Sequence, residues 1–215
     1  MPIIDDLIQG SPEWLQMRCG CATSSRLNDA LDKLKDPKKE SAARARYRKE
    51  LMIERLTGRS TPHFVSEAMM WGTEWEGKAR VEYEQKTGND VSQIGLALHP
   101  EIKWFGASTD GLVGKDGILE IKCLNSINHL DILISQEIPT DYHWQMLGGM
   151  ACAERQWCDF VSFDPRLPEP YQIFVKRFHR DDALIRGMEL EVVCFLEQVD
   201  KQLAQLKERN ALAIA

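Results

Sequence analysis

Apolar spacing along the chain changes character once, near residue 91. Before that point helical spacing dominates. Ser11-Pro12 ahead of Glu13-Trp14-Leu15 has the N-cap and first-turn chemistry of a helix start. A second start lies at Thr23-Ser24-Ser25, leading into Arg26-Leu27-Asn28-Asp29-Ala30-Leu31. Tyr47, Leu51 and Leu56 recur near the 3.6-residue period in a helix that Gly58 stops. Ser66 caps a further helix over about 66–87, with Met70, Trp71, Trp75 and Tyr83 apolar and Gly88-Asn89 at its end.

Beyond residue 91 the stretches 91–98, 102–108 and 118–123 are short and rich in β-branched or aromatic residues. His99-Pro100-Glu101 separates the first two. Lys115-Asp116-Gly117 precedes the third as a D-G turn, so the pattern predicts an antiparallel meander. A helix over about 140–153 follows, then strands near 160–163 and 171–178. A long helix from about Asp181 closes the chain, with Ile185, Met188, Val192, Phe195, Val199, Leu203 and Leu206 on one stripe. No repeat, low-complexity tract or Pro/Gly-rich linker divides the 215 residues. The order predicts a single α/β domain over 1–215, helical over 1–90, with a mixed β-sheet flanked by helices over 91–215.

Charge sharpens this picture less by its total than by its placement. The net charge is −6, from 27 basic and 33 acidic residues, and taken alone it argues against a nucleic-acid binder. Residues 33–59 nevertheless hold Lys33, Lys35, Lys38, Lys39, Arg44, Arg46, Arg48, Lys49, Arg55 and Arg59 against four acids, a local +6. Such a block reads either as a solvated helix face or as a stripe that tracks phosphates. Met69 and Met70 open the helix at 66, where Met70 and, further on, Leu112 read as packing residues. The six cysteines contain no C-x-x-C pair, which fits reduced thiols and no zinc site. His63, His99, His129, His143 and His179 show no ligand spacing. No apolar run reaches the ~20 residues of a membrane span, and the acidic N-terminus is unlike a secretory signal, so a cytoplasmic protein is expected.

The chemistry concentrates in Ser108-Thr109-Asp110-Gly111 and in Gly117-Ile118-Leu119-Glu120-Ile121-Lys122. Glu120 and Lys122 stand two apart on one strand and share a face, while Leu119 and Ile121 point the other way into a core. A bare E-x-K strand reads as an exposed same-face pair. Asp110, nine residues before Glu120 at a turn, shifts the reading toward a cation site, because two carboxylates at one strand face repel and Mg²⁺ prefers carboxylate oxygen.

At these residues the chain resembles the PD-(D/E)xK nucleases of the restriction-endonuclease-like fold, with Thr109 where that family usually has proline. More closely, it resembles the phage lambda-type alkaline exonucleases, the YqaJ-type viral recombinases. The landmarks are W-L-Q-M-R-x-G-x-x-T-S-S (14–25), W-G-x-x-x-E (71–76), S-T-D-G-L (108–112), L-E-I-K-C (119–123), Y-H-W-Q (142–145) and F-D-P-R (163–166). The resemblance implies that Asp110, Glu120 and the carbonyl of Ile121 bind Mg²⁺ or Mn²⁺, two ions per site, with Glu76 reaching the same place from a helix. Lys122 would orient or deprotonate the attacking water, and Gln145 would place an amide near it. Arg18, Ser25 and Ser108 would form a 5′-phosphate pocket, and Met69 would wedge between DNA strands. It further implies 5′-to-3′ digestion of a 5′-phosphorylated duplex end to mononucleotides, leaving a 3′ overhang. A homotrimeric ring, a phage single-strand annealing protein as partner, and a phage or prophage origin in a bacterial host also follow from it. Two alternatives stay open: a nuclease of the RecB or iron–sulfur CRISPR-adaptation type, which commonly carries Q-x-x-x-Y where Gln145 is followed by Gly149, and a catalytically silent DNA-binding or annealing module.

Overall fold

The computed structural model describes residues 3–36, 39–62 and 66–214, with side chains described as far as residue 210. Lys38 and His63 lie outside the described residues. In chain order the elements are β1 (Ile3–Ile4), α1 (Pro12–Arg18), β2 (Ala22–Thr23), α2 (Leu27–Leu31), α3 (Ala42–Thr57), α4 (Glu67–Thr87), β3 (Val91–Ser92), β4 (Leu96–Leu98), β5 (Phe105–Ala107) and β6 (Gly111–Val113). They continue with β7 (Gly117–Cys123), α5 (Ser126–Ser135), α6 (His143–Ala153), β8 (Trp157–Phe163), β9 (Ile173–His179) and α7 (Asp182–Ile214).

The helix boundaries follow local chemistry. Ser11, Ser41 and Ser66 each accept a hydrogen bond from a backbone N–H three residues on, satisfying a donor that the first turn leaves free. Gly58 and Gly88 end α3 and α4 in the left-handed conformation, which glycine adopts at no steric cost. Helix α5 has no counterpart in the sequence reading. Asn125 caps it through a bond from the Asn128 N–H, but Ile127, Leu130 and Ile134 are exposed and its buried side consists of His129 and Ile132, so its apolar residues trace no single stripe.

The predicted meander is instead divided between two sheets. β4 and β5 pair antiparallel beside β1 and β2 in a sheet of order β1-β4-β5-β2. β6 and β7 form the next hairpin in a five-stranded sheet, β3-β6-β7-β8-β9, in which only β7 and β8 are parallel. The stretch 91–98 breaks because Gly95 lies against Leu7, where an added Cβ would be 2.5 Å from the Leu7 carbonyl oxygen. The left-handed turn residue of the β6–β7 hairpin is Gly114, while Gly117 is already strand and meets the Trp157 ring.

The parallel β7–β8 pair forms the centre of the molecule, and both strands are buried on both faces, as a covered α/β sheet requires. On one face Leu119, Ile121, Val161 and Phe163 pack with Ala79 and Tyr83 of α4. On the other, Ile118, Cys158 and Phe160 join Met146, Leu147 and Met150 of α6 and Ile185, Met188, Val192, Phe195 and Val199 of α7. Leu56 and Leu206, placed on apolar stripes by spacing, are exposed, as is Met70 at 55%. The six cysteines are free thiols, three of them buried. Among the described residues no helix is long and apolar enough to cross a membrane.

Part of the +6 stretch is engaged by acids of the fold. Arg44 and Arg48 are buried and pair with Glu40, Arg55 pairs with Asp200, Lys33 with Glu191 and Arg46 with Glu50. Arg44, Arg48 and Arg55 fasten α3 to its surroundings, whereas Lys33 and Arg46 remain mostly exposed in their pairs.

Candidate active site

Three neighbouring elements assemble the cluster. Asp110 lies just before β6, and its backbone N–H donates to the Leu119 carbonyl across the hairpin at 3.1 Å. Its carboxylate turns back onto β7, where Oδ2 accepts from the Ile121 N–H at 2.5 Å. Glu120 and Lys122 project from the opposite face of β7 to Leu119 and Ile121, and the lysine ammonium sits 2.7 Å from Oε1 of Glu120. Helix α6 supplies the third side: Gln145 Nε2 donates to the same Glu120 oxygen at 2.5 Å, and Lys122 Nζ donates to Gln145 Oε1 at 3.3 Å. Asp110, Glu120, Lys122 and Gln145 therefore meet.

The helix reaches the strand this closely because two glycines follow Gln145. A Cβ at Gly149 would lie 2.8 Å from Ile118 Cδ1 and 3.2 Å from Thr109 Cγ2, and one at Gly148 would lie 2.6 Å from Leu27 Cδ1. The missing tyrosine of the Q-x-x-x-Y pattern thus has a physical reason here: position 149 is a contact between helix and strand with no room for a side chain.

Electrostatics in the cluster are those of crowded acids. Burial raises the Asp110 carboxyl well above the usual range, and the charges of Glu120 and Glu76 add to the rise. Burial pulls Lys122 down, but Glu120 and Asp110 more than offset it and hold the ammonium protonated well above neutrality. Glu76, on α4, is raised first by burial and then by Glu120, against the lowering effect of Arg80, to which it is ion-paired. It belongs to the same electrostatic group while its carboxylate is directed to Arg80. Among the described residues no three His, Cys, Asp or Glu side chains close into a ligand shell. A carboxylate just before β6 and another on buried β7, each felt by the other, are nevertheless the hard-oxygen donor set that a divalent cation neutralises. For Ile121 it is the N–H whose partner is defined.

The predicted phosphate residues divide. Arg18 stacks on the Trp14 ring at 3.9 Å, and among the described residues no carboxylate lies within ion-pair distance of it. Burial lowers its guanidinium from the ordinary value, and the charges of Tyr47, Cys21 and Glu54 offset this only in part. Ser25 is exposed, with its hydroxyl 3.3 Å from that of Thr23. The Thr23 N–H donates to the Tyr47 hydroxyl, which also acts on Arg18. Ser108 is engaged with its neighbours. Its proton goes to the Gly95 carbonyl at 2.8 Å while its oxygen accepts from the Trp14 indole at 3.0 Å, so it clamps α1 to the segment before Asp110. Gln9 reinforces that clamp, donating to the Ile94 and Thr109 carbonyls, both at 2.9 Å.

Met69, at 53% exposure, stands clear of the core at the start of α4. The His143 ring lies 4.8 Å from that of Phe178 and tilted to it, and His129 is buried between Ser162 and the Tyr171 carbonyl. Spacing gave no role to Trp14, Tyr142 or Arg166, although each lies in a quoted landmark. Trp14 carries the clamp, the Tyr142 ring lies 5.2 Å from the Lys122 ammonium, and Arg166 forks onto buried Asp164.

Comparison with known proteins bears on the whole arrangement. An alkaline exonuclease from Laribacter hongkongensis has a crystal structure that matches with a TM-score of 0.87 and 43% identity, over 95% of this chain and all of that one. A structure of the same exonuclease in complex with dAMP matches equally. A phage-related exonuclease from Haemophilus somnus 129PT, 17% identical, shares the fold with a TM-score of 0.68 over 86% of this chain and 96% of that one. A curated but uncharacterized protein, R354 of Acanthamoeba polyphaga mimivirus, is 24% identical over 212 residues, and this chain spans 36% of its length. The sheet of β3 and β6–β9 between its helices is a restriction-endonuclease-like core. Residues 13–156 match the YqaJ-like viral recombinase domain, and with the 43% identity across the chain this places the protein in the YqaJ-like viral recombinase family.

Proposed function

We propose that this chain is a divalent-metal-dependent deoxyribonuclease that digests the 5′-ended strand of linear duplex DNA to mononucleotides and leaves a 3′ overhang. The observation that carries this reading is the meeting of Lys122 and Gln145 on one Glu120 oxygen, with the Asp110 carboxylate held by the adjacent Ile121 N–H. Asp110 and Glu120, with the Ile121 carbonyl, would hold Mg²⁺ or Mn²⁺, up to two ions, while Glu76 adds negative charge from the side. When bound there, such an ion would supply water activation and charge neutralisation at the scissile phosphodiester.

The chain's own groups do the rest. Lys122, kept protonated by its acidic neighbours, orients the water and meets negative charge as it develops on the phosphate. Gln145 fixes the Glu120 carboxylate. Arg18 and Ser25 receive the terminal 5′-phosphate, for which the unpaired guanidinium is suited by its planar fork. Met69 is free to insert between strands. The relative crystallised with dAMP supports a deoxynucleoside monophosphate as product. A homotrimeric ring and delivery of the overhang to a single-strand annealing protein complete the reading on the family resemblance.

The test is Mg²⁺-dependent release of acid-soluble nucleotide from linear duplex DNA, with Asp110→Ala and Lys122→Ala as controls. Release by the wild type, loss in both variants and resistance of closed circular DNA are expected. Equal behaviour of the three proteins overturns the reading, and digestion of closed circles overturns the exonuclease assignment.

A further inference from the structure

Arg166 is built as a second anion contact, at the far end of the catalytic strand. Its Nε and Nη2 fork onto the two oxygens of Asp164 at 2.7 and 3.0 Å, and Nη2 also donates to the Leu124 carbonyl at 3.0 Å. Asp164 is fully buried and is itself held by the Ser126 hydroxyl at 2.6 Å, so the fork has a rigid base. The guanidinium plane lies over the Trp71 ring at 4.3 Å. With one edge and one face fixed, the planar group retains little freedom.

What is left over faces outward. Of the five N–H donors of a guanidinium, the two on Nη1 have no partner among the described residues, and the side chain is 45% exposed. The surroundings belong to the reaction site. Leu124 stands two residues after Lys122, roughly 7 Å along the strand. The Trp71 ring packs at a tilt against that of Trp75, which precedes Glu76. Met69 and Met70 are exposed on the preceding turn of α4. A held cation with two outward donors beside exposed apolar side chains suits a nucleic-acid backbone, where charge neutralisation and unstacked bases meet.

We propose that Arg166 binds a backbone phosphodiester of the DNA strand where it passes the C-terminal end of β7, at a position distinct from both the scissile and the terminal phosphate. This inference rests on the nuclease reading above. Its test is the salt dependence of binding of a blunt, 5′-phosphorylated duplex oligonucleotide in EDTA, which prevents digestion. For Arg166→Gln the slope of log K against log salt should fall by about one, with weaker binding whatever the sequence. Because that variant leaves Asp164 buried without its cation, the double variant Asp164→Asn/Arg166→Gln is measured beside it, and the same loss of slope is expected. Wild-type affinity and slope in the double variant would make the fork purely structural and overturn the proposal. Failure of the wild-type protein to bind the duplex would instead remove the nuclease reading beneath it.

Discussion

Gln145 donates across 2.5 Å to Glu120, and so a helix that precedes β8 controls the orientation of a carboxylate on β7. The amide has no charge to contribute, and its value lies in fixing one oxygen of an acid that Lys122 also holds. Groups that orient a catalytic or ligating carboxylate typically cost 10–100-fold when removed. Gln145→Ala should therefore lower kcat by roughly that factor and leave KM little changed. Gln145→Glu should be worse, since it sets a third carboxylate against Glu120. Steady-state kinetics on linear duplex DNA would decide, and a change confined to KM would move Gln145 into substrate binding.

Gly149 makes that contact possible. A valine there would drive side-chain carbon into Ile118 and Thr109, on the strand and on the segment that carries Asp110. Overpacking of this kind costs typically about 1–3 kcal/mol. Gly149→Val should lower the denaturation midpoint by a corresponding amount. It should also reduce kcat more than Gln145→Ala does, because both the amide and Asp110 shift. Retention of full activity with lowered stability would show that the helix position tolerates displacement.

Much of this was legible in the sequence, and the reasons are local. Ser11, Ser66, Gly58 and Gly88 mark helix ends through bonds and conformations within a few residues. Glu120 and Lys122 share a face because strand alternation requires it. Long-range choices were not legible. Nothing local says that β5 pairs in parallel with β2, some eighty residues before it, and so leaves the β6–β7 sheet. Ser108 also bonds the Gly95 carbonyl, a partner thirteen positions back that no local pattern announces. The basic stretch looked free because Glu191 and Asp200, which engage Lys33 and Arg55, are far along the chain.

Arg18 and Ser108 should separate cleanly when mutated. Arg18→Met keeps an apolar stem on Trp14 but removes the unpaired guanidinium. Preference for 5′-phosphorylated over 5′-hydroxyl ends should then fall by roughly ten- to hundredfold, the span of a charge-assisted bond worth about 1.5–3 kcal/mol. Ser108→Ala should retain the preference and lose about 1 kcal/mol of stability, because its hydroxyl serves the Trp14 clamp. Competition between the two end types, with thermal unfolding of both variants, checks each half. Loss of preference in Ser108→Ala would return that hydroxyl to the phosphate.

Asp164 offers a pH test away from the metal-binding acids. Burial alone would raise its carboxyl, but hydrogen bonds from Arg166 and Ser126 outweigh burial and hold it below the ordinary carboxylate value. A group whose folded value is depressed contributes stability that is fully present above its unfolded value of about 4 and is lost as pH falls through the folded value. Wild-type protein should therefore exceed Asp164→Asn in stability by a constant margin above about pH 5, and the margin should shrink as the solution is acidified further. Denaturant midpoints for both proteins between pH 7 and pH 3 give the comparison. A margin that stays constant across that range would mean that the fork stabilises through packing and not through the ionised carboxylate.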